Sequence, residues 1–239
     1  MKKNRISVVT GASANLGRSV SIELAKSSKH IYLIGRNIKE LEKTADFVET
    51  ESCESTIVPI DLTNFDLIDE LGQSIYKKHK KIDVLISCAG IIKHLSPLTS
   101  IKPFDFEEII NLNLIANFRI LRSFHPLFLS SNKARIIIIS KNISALGDQY
   151  WGSYNSIMLA LNNLVKTYAN ENKTSNLKIN LFEPPLIESN FVNITSPGEN
   201  KKNMYELDLV ARKIVYYVNE DISESGKIFN SSLDMDFSS

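Results

Sequence analysis

The stretch TGASANLG at residues 10–17 decides the fold. It joins a short apolar run to an amphipathic segment, which is typical of a turn from a strand into a helix. Gly11 allows a tight turn, Gly17 lets the helix approach the sheet, and the free N–H groups at the helix start favour a pyrophosphate. The Ser13 hydroxyl adds a donor for a phosphate oxygen. The stretch therefore predicts a phosphate-binding loop after a first strand.

The same alternation of apolar runs and amphipathic segments continues through the chain. Several runs are apolar throughout, which is typical of parallel strands covered on both faces. The predicted strands lie at residues 5–10, 30–34, 55–60, 82–88, 134–140, 177–182 and 227–230. The predicted helices lie at residues 16–27, 39–49, 65–78, 104–129, 154–172 and 204–219. Because strands alternate with helices, we expect one doubly wound α/β domain over residues 1–239, with a seven-stranded parallel sheet.

Composition and charge exclude several classes of protein. The 239 residues carry 28 Lys and Arg against 27 Asp and Glu, so no excess of cations predicts a nucleic-acid partner. The two cysteines predict neither a disulfide scaffold nor a metal site. The longest apolar run, at residues 136–139, is too short to cross a bilayer. We therefore expect a cytoplasmic protein that does not span a membrane.

A long polar connection follows the sixth predicted strand. Residues 186–203 come after Pro184 and Pro185 and contain a Pro-Gly pair, so we predict a loop with at most a short helix. Loops at the carboxyl edge of a parallel sheet are where substrate lids lie. The stretch is interpreted either as a substrate lid or as a plain connection.

Several segments together resemble the short-chain dehydrogenase/reductase family. The stretch TGASANLG resembles the family motif Thr-Gly-x-x-x-Gly-x-Gly, with Asn15 at the middle glycine, and asparagine tolerates left-handed backbone. DLT at residues 61–63, SCAG at residues 87–90 and Asn113 resemble family segments after the third strand, after the fourth strand and in the fourth helix. The resemblance covers nearly the whole chain. It implies a Rossmann fold and an oxidoreductase that acts on a carbonyl or alcohol.

The resemblance also implies a nicotinamide cofactor. Family members that use NAD(H) carry an acidic residue after the second strand, where this chain has Gly35 with Arg36 beside it. A guanidinium pairs well with a 2′-phosphate, so Arg36 favours NADP(H) over NAD(H) unless it is simply a surface arginine. By resemblance, the cofactor-binding positions are Gly11, Ser13, Asn15, Leu16, Gly17, Arg36, Asp61, Leu62, Cys88, Ala89, Gly90, Tyr154, Pro184, Ile187 and Ser189.

The family's catalytic set, a Ser with a Tyr-x-x-x-Lys pair, is incomplete in this chain. Tyr154 matches the tyrosine and Asn113 the helix asparagine, but Met158 stands at the lysine position. Lys141 stands at the serine position, next to Ser140. Methionine has no charge and no donor, so it cannot lower the pKa of a tyrosine. The candidate catalytic residues are Tyr154, Asn113, Lys141 and Ser140.

Three interpretations of this altered set stay open. Standard hydride transfer is impaired, and at the limit the chain is a non-catalytic nucleotide-binding subunit or regulator that pairs with an active relative. Alternatively, Lys141 takes over part of the chemistry, by lowering the pKa of Tyr154 or by pairing with an anionic substrate. The third interpretation is near-normal reductase activity. The resemblance further implies a small-molecule substrate and a homodimer or homotetramer that pairs through the fourth and fifth predicted helices.

Overall fold

The computed structural model describes residues 4–141 and 147–230. Seven strands form one sheet in the order β3-β2-β1-β4-β5-β6-β7, and every neighbouring pair is parallel. The strands are β1 (Arg5–Thr10), β2 (Ser28–Gly35), β3 (Glu54–Pro59), β4 (Val84–Ser87), β5 (Arg135–Ile139), β6 (Lys178–Glu183) and β7 (Ile228–Asn230). The predicted seven-stranded parallel α/β fold is confirmed.

Eight α-helices connect these strands in the described parts of the chain. They are α1 (Asn15–Ala25), α2 (Ile38–Thr50), α3 (Phe65–His79), α4 (Pro103–Ile110), α5 (Ala116–Leu129), α6 (Gly152–Glu171), α7 (Asn190–Thr195) and α8 (Leu207–Tyr216). None of the described helices is both long enough and apolar enough to cross a membrane.

The two faces of the sheet are covered by different helices. Adjacent residues of a strand point to opposite faces, so Val8 packs under α3, α5 and α6 while Val9 packs under α1, α2 and α8. Both residues are fully buried. This two-sided burial is the physical reason that the strands read as continuous apolar runs rather than as alternating ones.

Two predicted helices have different bounds in the structure. The predicted helix at residues 104–129 is interrupted by a π-helical turn at Asn111–Ile115, in which Asn113 is buried. The predicted helix at residues 204–219 starts only at Leu207, because Tyr205 is extended and forms a bridge with Ile187. The stretch at residues 186–203 contains the short helix α7, as predicted.

The topology creates a crevice at the carboxyl ends of β1 and β4. The chain moves outward from β1 to β2 and β3, then returns to place β4 on the other side of β1. Thr10 at the end of β1 lies beside Ser87 at the end of β4. In doubly wound sheets, ligands bind where the strand order reverses in this way.

Candidate active site

The loop after β1 has the backbone geometry that its glycines predict. Gly11 has a φ of +69°, and a Cβ there would lie 3.0 Å from the Ala89 nitrogen, so the loop packs directly on the segment after β4. A Cβ on Gly17 would lie 2.1 Å from the Gly11 oxygen, which leaves no room for any side chain. Asn15 has a φ of 46°, so the prediction that asparagine accepts left-handed backbone here is confirmed.

The amino end of α1 is open to an anion. Ala14 precedes the helix in extended conformation, makes no side-chain cap, and no acidic residue lies in the first turn. Arg18 links the loop to α2, because its guanidinium donates to the Ser13 backbone oxygen at 2.8 Å and to the Glu40 carboxylate at 2.6 Å. The uncapped N–H groups and the helix dipole at this end of α1 suit the negative charge of a pyrophosphate.

The carboxyl ends of β2 and β3 supply the next part of the site. Gly35 packs against Ser13, since a Cβ there would lie 3.1 Å from the Ser13 hydroxyl. The Arg36 side chain is 71% exposed, and its guanidinium lies 3.8 Å from the Asp61 carboxylate. Asp61 also accepts from the Thr63 backbone at 2.9 Å, and Leu62 is buried. Arg36 therefore follows Gly35 with a largely exposed guanidinium whose described partner is the long ion pair to Asp61.

A buried hydrogen-bond network supports the segment after β4. The Thr10 hydroxyl lies 3.1 Å from the Ser87 hydroxyl and accepts from the Ala89 nitrogen at 3.1 Å. The Ser87 hydroxyl in turn donates to the side-chain oxygen of Asn117, and the side-chain nitrogen of Asn117 donates to the backbone oxygen of Asn113. Fully paired networks of this kind fix a single geometry. This network holds the segment of Cys88, Ala89 and Gly90 against the loop after β1.

Two predicted site residues in this region, Asn113 and Cys88, serve the fold: the Asn113 side chain is hydrogen-bonded to the backbone and the Cys88 thiol is buried. The Asn113 amide lies in the π-helical turn and pairs with both the nitrogen and the oxygen of Ile91, each at 2.8 Å. Burial raises the pKa of the Cys88 thiol to about 12, so the thiol stays protonated. Asn113 thus anchors the loop after β4, and Cys88 packs as a small apolar residue.

Tyr154 lies in a cluster of aromatic rings. Its ring centre is 6.2 Å from that of Trp151 and 5.4 Å from that of Phe191, and the Trp151 and Phe191 rings are 6.2 Å apart. Phe191 belongs to α7, so the stretch at residues 186–203 reaches the tyrosine. Burial among these rings raises the pKa of Tyr154 well above its ordinary value. The phenol therefore stays protonated at neutral pH.

The two positions that depart from the family set have different surroundings. Met158 is 3% exposed and packs in the core that Tyr154 borders. Lys141 is half-buried, and its ammonium lies 3.7 Å from the centre of the Trp151 ring. Burial lowers the pKa of Lys141, although Asp148 and Glu183 act in the opposite direction. Among the described residues, no cation contributes to the pKa of Tyr154.

The remaining predicted residues are used within the fold. Ser140 is 4% exposed and donates its hydroxyl to the Asn162 amide oxygen. The Ser189 hydroxyl caps α7 by accepting from the Val192 nitrogen at 3.4 Å. Ile187 is buried and forms a bridge with Tyr205, while Pro184 directly follows β6. The structure thus places both Lys141 and Tyr154 against Trp151, while the Ser140 hydroxyl has a partner in α6.

Sequence reasoning missed two residues of this site. Phe191 was hidden in a polar stretch, where no periodicity indicated that it would reach Tyr154. Asn162 lies two turns after Tyr154 on the same helix, and helical spacing alone could have placed it near the end of β5. Among residues 4–141 and 147–230, no group of three potential metal ligands occurs.

Similarity to known proteins identifies the family of this chain. The family model for short chain dehydrogenases matches residues 5–200. The chain is 30% identical over 185 residues to the 3-oxoacyl-[acyl-carrier-protein] reductase FabG of Buchnera aphidicola, covering 77% of this chain and 73% of that one.

Solved structures resemble the fold over nearly its full length. A short-chain dehydrogenase of Shigella flexneri complexed with NADP superposes with a TM-score of 0.87 at 21% identity, covering 95% of this chain and 97% of that one. An NAD⁺-bound xylitol dehydrogenase superposes with a TM-score of 0.84 at 19% identity, covering 96% and 98%. With the match of the family model to most of its length, the chain belongs to the short-chain dehydrogenase family of oxidoreductases.

Proposed function

We propose that this protein binds NADP(H) as a short-chain oxidoreductase for a carbonyl or alcohol substrate, and that its standard hydride-transfer chemistry is impaired. One observation carries the proposal. The glycine loop after β1 and the exposed Arg36 after β2 keep the features of a dinucleotide site, while burial raises the pKa of Tyr154 and no described cation lowers it. The loop and Arg36 argue for cofactor binding, and the altered tyrosine environment argues for slow chemistry.

The NADP(H) preference rests on the end of β2. Gly35 offers no carboxylate to a ribose 2′-hydroxyl, whereas the exposed Arg36 guanidinium matches a 2′-phosphate. The Shigella flexneri relative complexed with NADP fits this preference, although the xylitol dehydrogenase is bound to NAD⁺. When bound, the nicotinamide supplies or accepts a hydride. The loop from Gly11 to Gly17 would hold the pyrophosphate.

The impairment rests on Tyr154 and its neighbours. A phenol with a raised pKa can donate its proton to a substrate carbonyl, but it is a poor base for removing a proton from an alcohol. Met158 is apolar and buried, so it neither lowers that pKa nor offers a donor to a ribose. Because both directions pass through the same transition state, we expect slow hydride transfer in reduction and in oxidation alike.

A non-catalytic nucleotide-binding subunit is the second candidate function. It is favoured by Ser140 and Asn113, whose side chains have hydrogen-bond partners within the fold. In this case the chain would pair with an active relative. The homodimer or homotetramer expected from the sequence, and the cytoplasmic location, stay predictions.

A double variant tests the impairment. Met158→Lys with Lys141→Ser restores the family's catalytic set around Tyr154, so we expect NADPH-dependent reduction of a panel of aldehydes and ketones to rise at least about a hundredfold. Adding Tyr154→Phe should remove the gain. If the double variant still binds NADPH but reduces no carbonyl faster than the wild-type protein does, these two positions do not explain the impairment.

A further inference from the structure

Lys141 places a positive charge against the aromatic cluster that surrounds Tyr154. It follows β5 directly, and its ammonium lies on the Trp151 ring, whose other neighbours are Tyr154 and Phe191. Trp151 therefore contacts both the ammonium and the tyrosine.

The ammonium is not neutralised by the described part of the protein. None of the described carboxylates forms an ion pair with it, and its contact is the face of an aromatic ring. Asp148 is exposed, and together with Glu183 it does not offset the burial of the amine. A ring face occupies one side of an ammonium and leaves N–H donors for other partners. Asp148 and Glu183 favour its charged form without a close ion pair, so a bound anion would add a direct partner.

We propose that Lys141 is the binding residue for an anionic group on the substrate, and that the substrate is a small carbonyl compound bearing a carboxylate or phosphate. The inference rests on the proposed function, because it takes the surroundings of Tyr154 as the substrate site. In this arrangement the anionic group pairs with Lys141 while the carbonyl faces the Tyr154 hydroxyl. Phe191 and Trp151 enclose the carbon chain between these two groups.

Ligand-observed NMR with 4-oxopentanoate tests the proposal in the absence of cofactor. We expect saturable binding of 4-oxopentanoate, much weaker binding of its uncharged methyl ester, and a change in Trp151 emission on binding. Lys141→Gln should weaken the binding of 4-oxopentanoate about tenfold to a hundredfold, which is the usual effect of losing a hydrogen bond to a charged group. Lys141→Arg should retain it. A parallel titration with inorganic phosphate shows which anion the site prefers.

Lys93→Gln is the matched control, because Lys93 lies in the loop after β4 and is already paired with Glu108 at 2.6 Å. It should bind 4-oxopentanoate as the wild-type protein does. Equal binding of the acid and its ester, or unchanged binding in Lys141→Gln, would overturn the proposal, as would the absence of binding by either anion. NADPH binding is measured separately by calorimetry. Binding of the anion without binding of NADPH would contradict the proposed function and leave Lys141 as an anion-binding residue only, whereas binding of NADPH without the anion would overturn this inference alone.

Discussion

Gly17 is the residue on which the cofactor loop depends most directly. A Cβ at this position would lie 2.1 Å from the Gly11 oxygen and 2.6 Å from the Gly11 carbon, so α1 would have to move away from the loop. We expect Gly17→Ala to lower the free energy of unfolding by about 3 kcal/mol and to abolish NADPH binding. Urea denaturation and calorimetry measure the two effects.

Gly152→Ala is the control for this substitution. A Cβ there would lie 3.1 Å from the end of the exposed Leu98 side chain, which can rotate away. The free energy of unfolding of this variant should lie within about 1 kcal/mol of that of the wild-type protein. If Gly17→Ala is equally mild and still binds NADPH, the loop is not packed as described.

Met158→Lys tests the burial of the position where the family carries its lysine. Met158 lies in the apolar core, so an ammonium there should lower the free energy of unfolding by about 3 kcal/mol in urea denaturation. NADPH should raise the free energy of unfolding of this variant again, because a ligand that binds the folded state stabilises it. Met158→Leu should cost less than about 1.5 kcal/mol. If the two variants are equally stable, a lysine side chain at position 158 can reach solvent, and the position is not enclosed in the core.

At the residue scale, backbone requirements could be predicted and side-chain partners could not. Glycine spacing indicated the loop, and the tolerance of asparagine for left-handed backbone anticipated the φ of 46° at Asn15. The contact of Lys141 with Trp151 joins two residues that share no strand or helix. Linear spacing within a strand or helix carries no information on such a contact.

A pair of histidines between β2 and the end of α3 makes stability depend on pH. The rings of His30 and His79 are 4.8 Å apart, and Tyr32 packs against both. His30 is 1% exposed, and the His79 Nε2 is buried without a hydrogen-bond partner in the structure. Burial lowers the pKa of both rings, and the cation of Lys78 adds to this effect, while Glu54 opposes it.

Because both pKa values are lowered, the unfolded chain binds protons that the folded chain does not. Stability should therefore be full above the ordinary histidine pKa of about 6.5 and decline as the pH falls below it, by up to about 1.4 kcal/mol per pH unit for each ring. Urea denaturation at several pH values measures the slope. His79→Phe keeps the ring and removes one proton site, so its stability should depend less on pH. An unchanged slope in that variant would contradict this account.

At the element scale, the strands were predictable because they are covered on both faces. Each predicted strand lies within two residues of its observed bounds at either end. The π-helical turn in the fourth predicted helix was not predictable, since the apolar residues on both sides keep a helical spacing. The contact between α7 and Tyr154 also escaped prediction, because α7 has only six residues and too few apolar positions to show a face.

For the whole molecule, the exposed apolar side chains predict self-association. Phe104, Phe118 and Leu159 are 67%, 46% and 38% exposed, and all lie on the helices expected to pair between subunits. Analytical ultracentrifugation should give a mass at least twice that of the 26.9 kDa chain. Phe118→Asp should shift the distribution toward the monomer, because it places a charge in an apolar interface. A monomeric wild-type protein would contradict the prediction.

The central claim is that the fold retains an NADP(H) site beside an altered catalytic tyrosine, and a cofactor titration tests it most directly. The single tryptophan, Trp151, lies near Tyr154, so a bound nicotinamide should quench its emission. We predict that NADPH saturates the signal at micromolar concentration and that NADH binds at least about tenfold more weakly. Arg36→Ala should bring the two affinities together. If neither NADPH nor NADH binds, as judged by both emission and calorimetry, the account is contradicted.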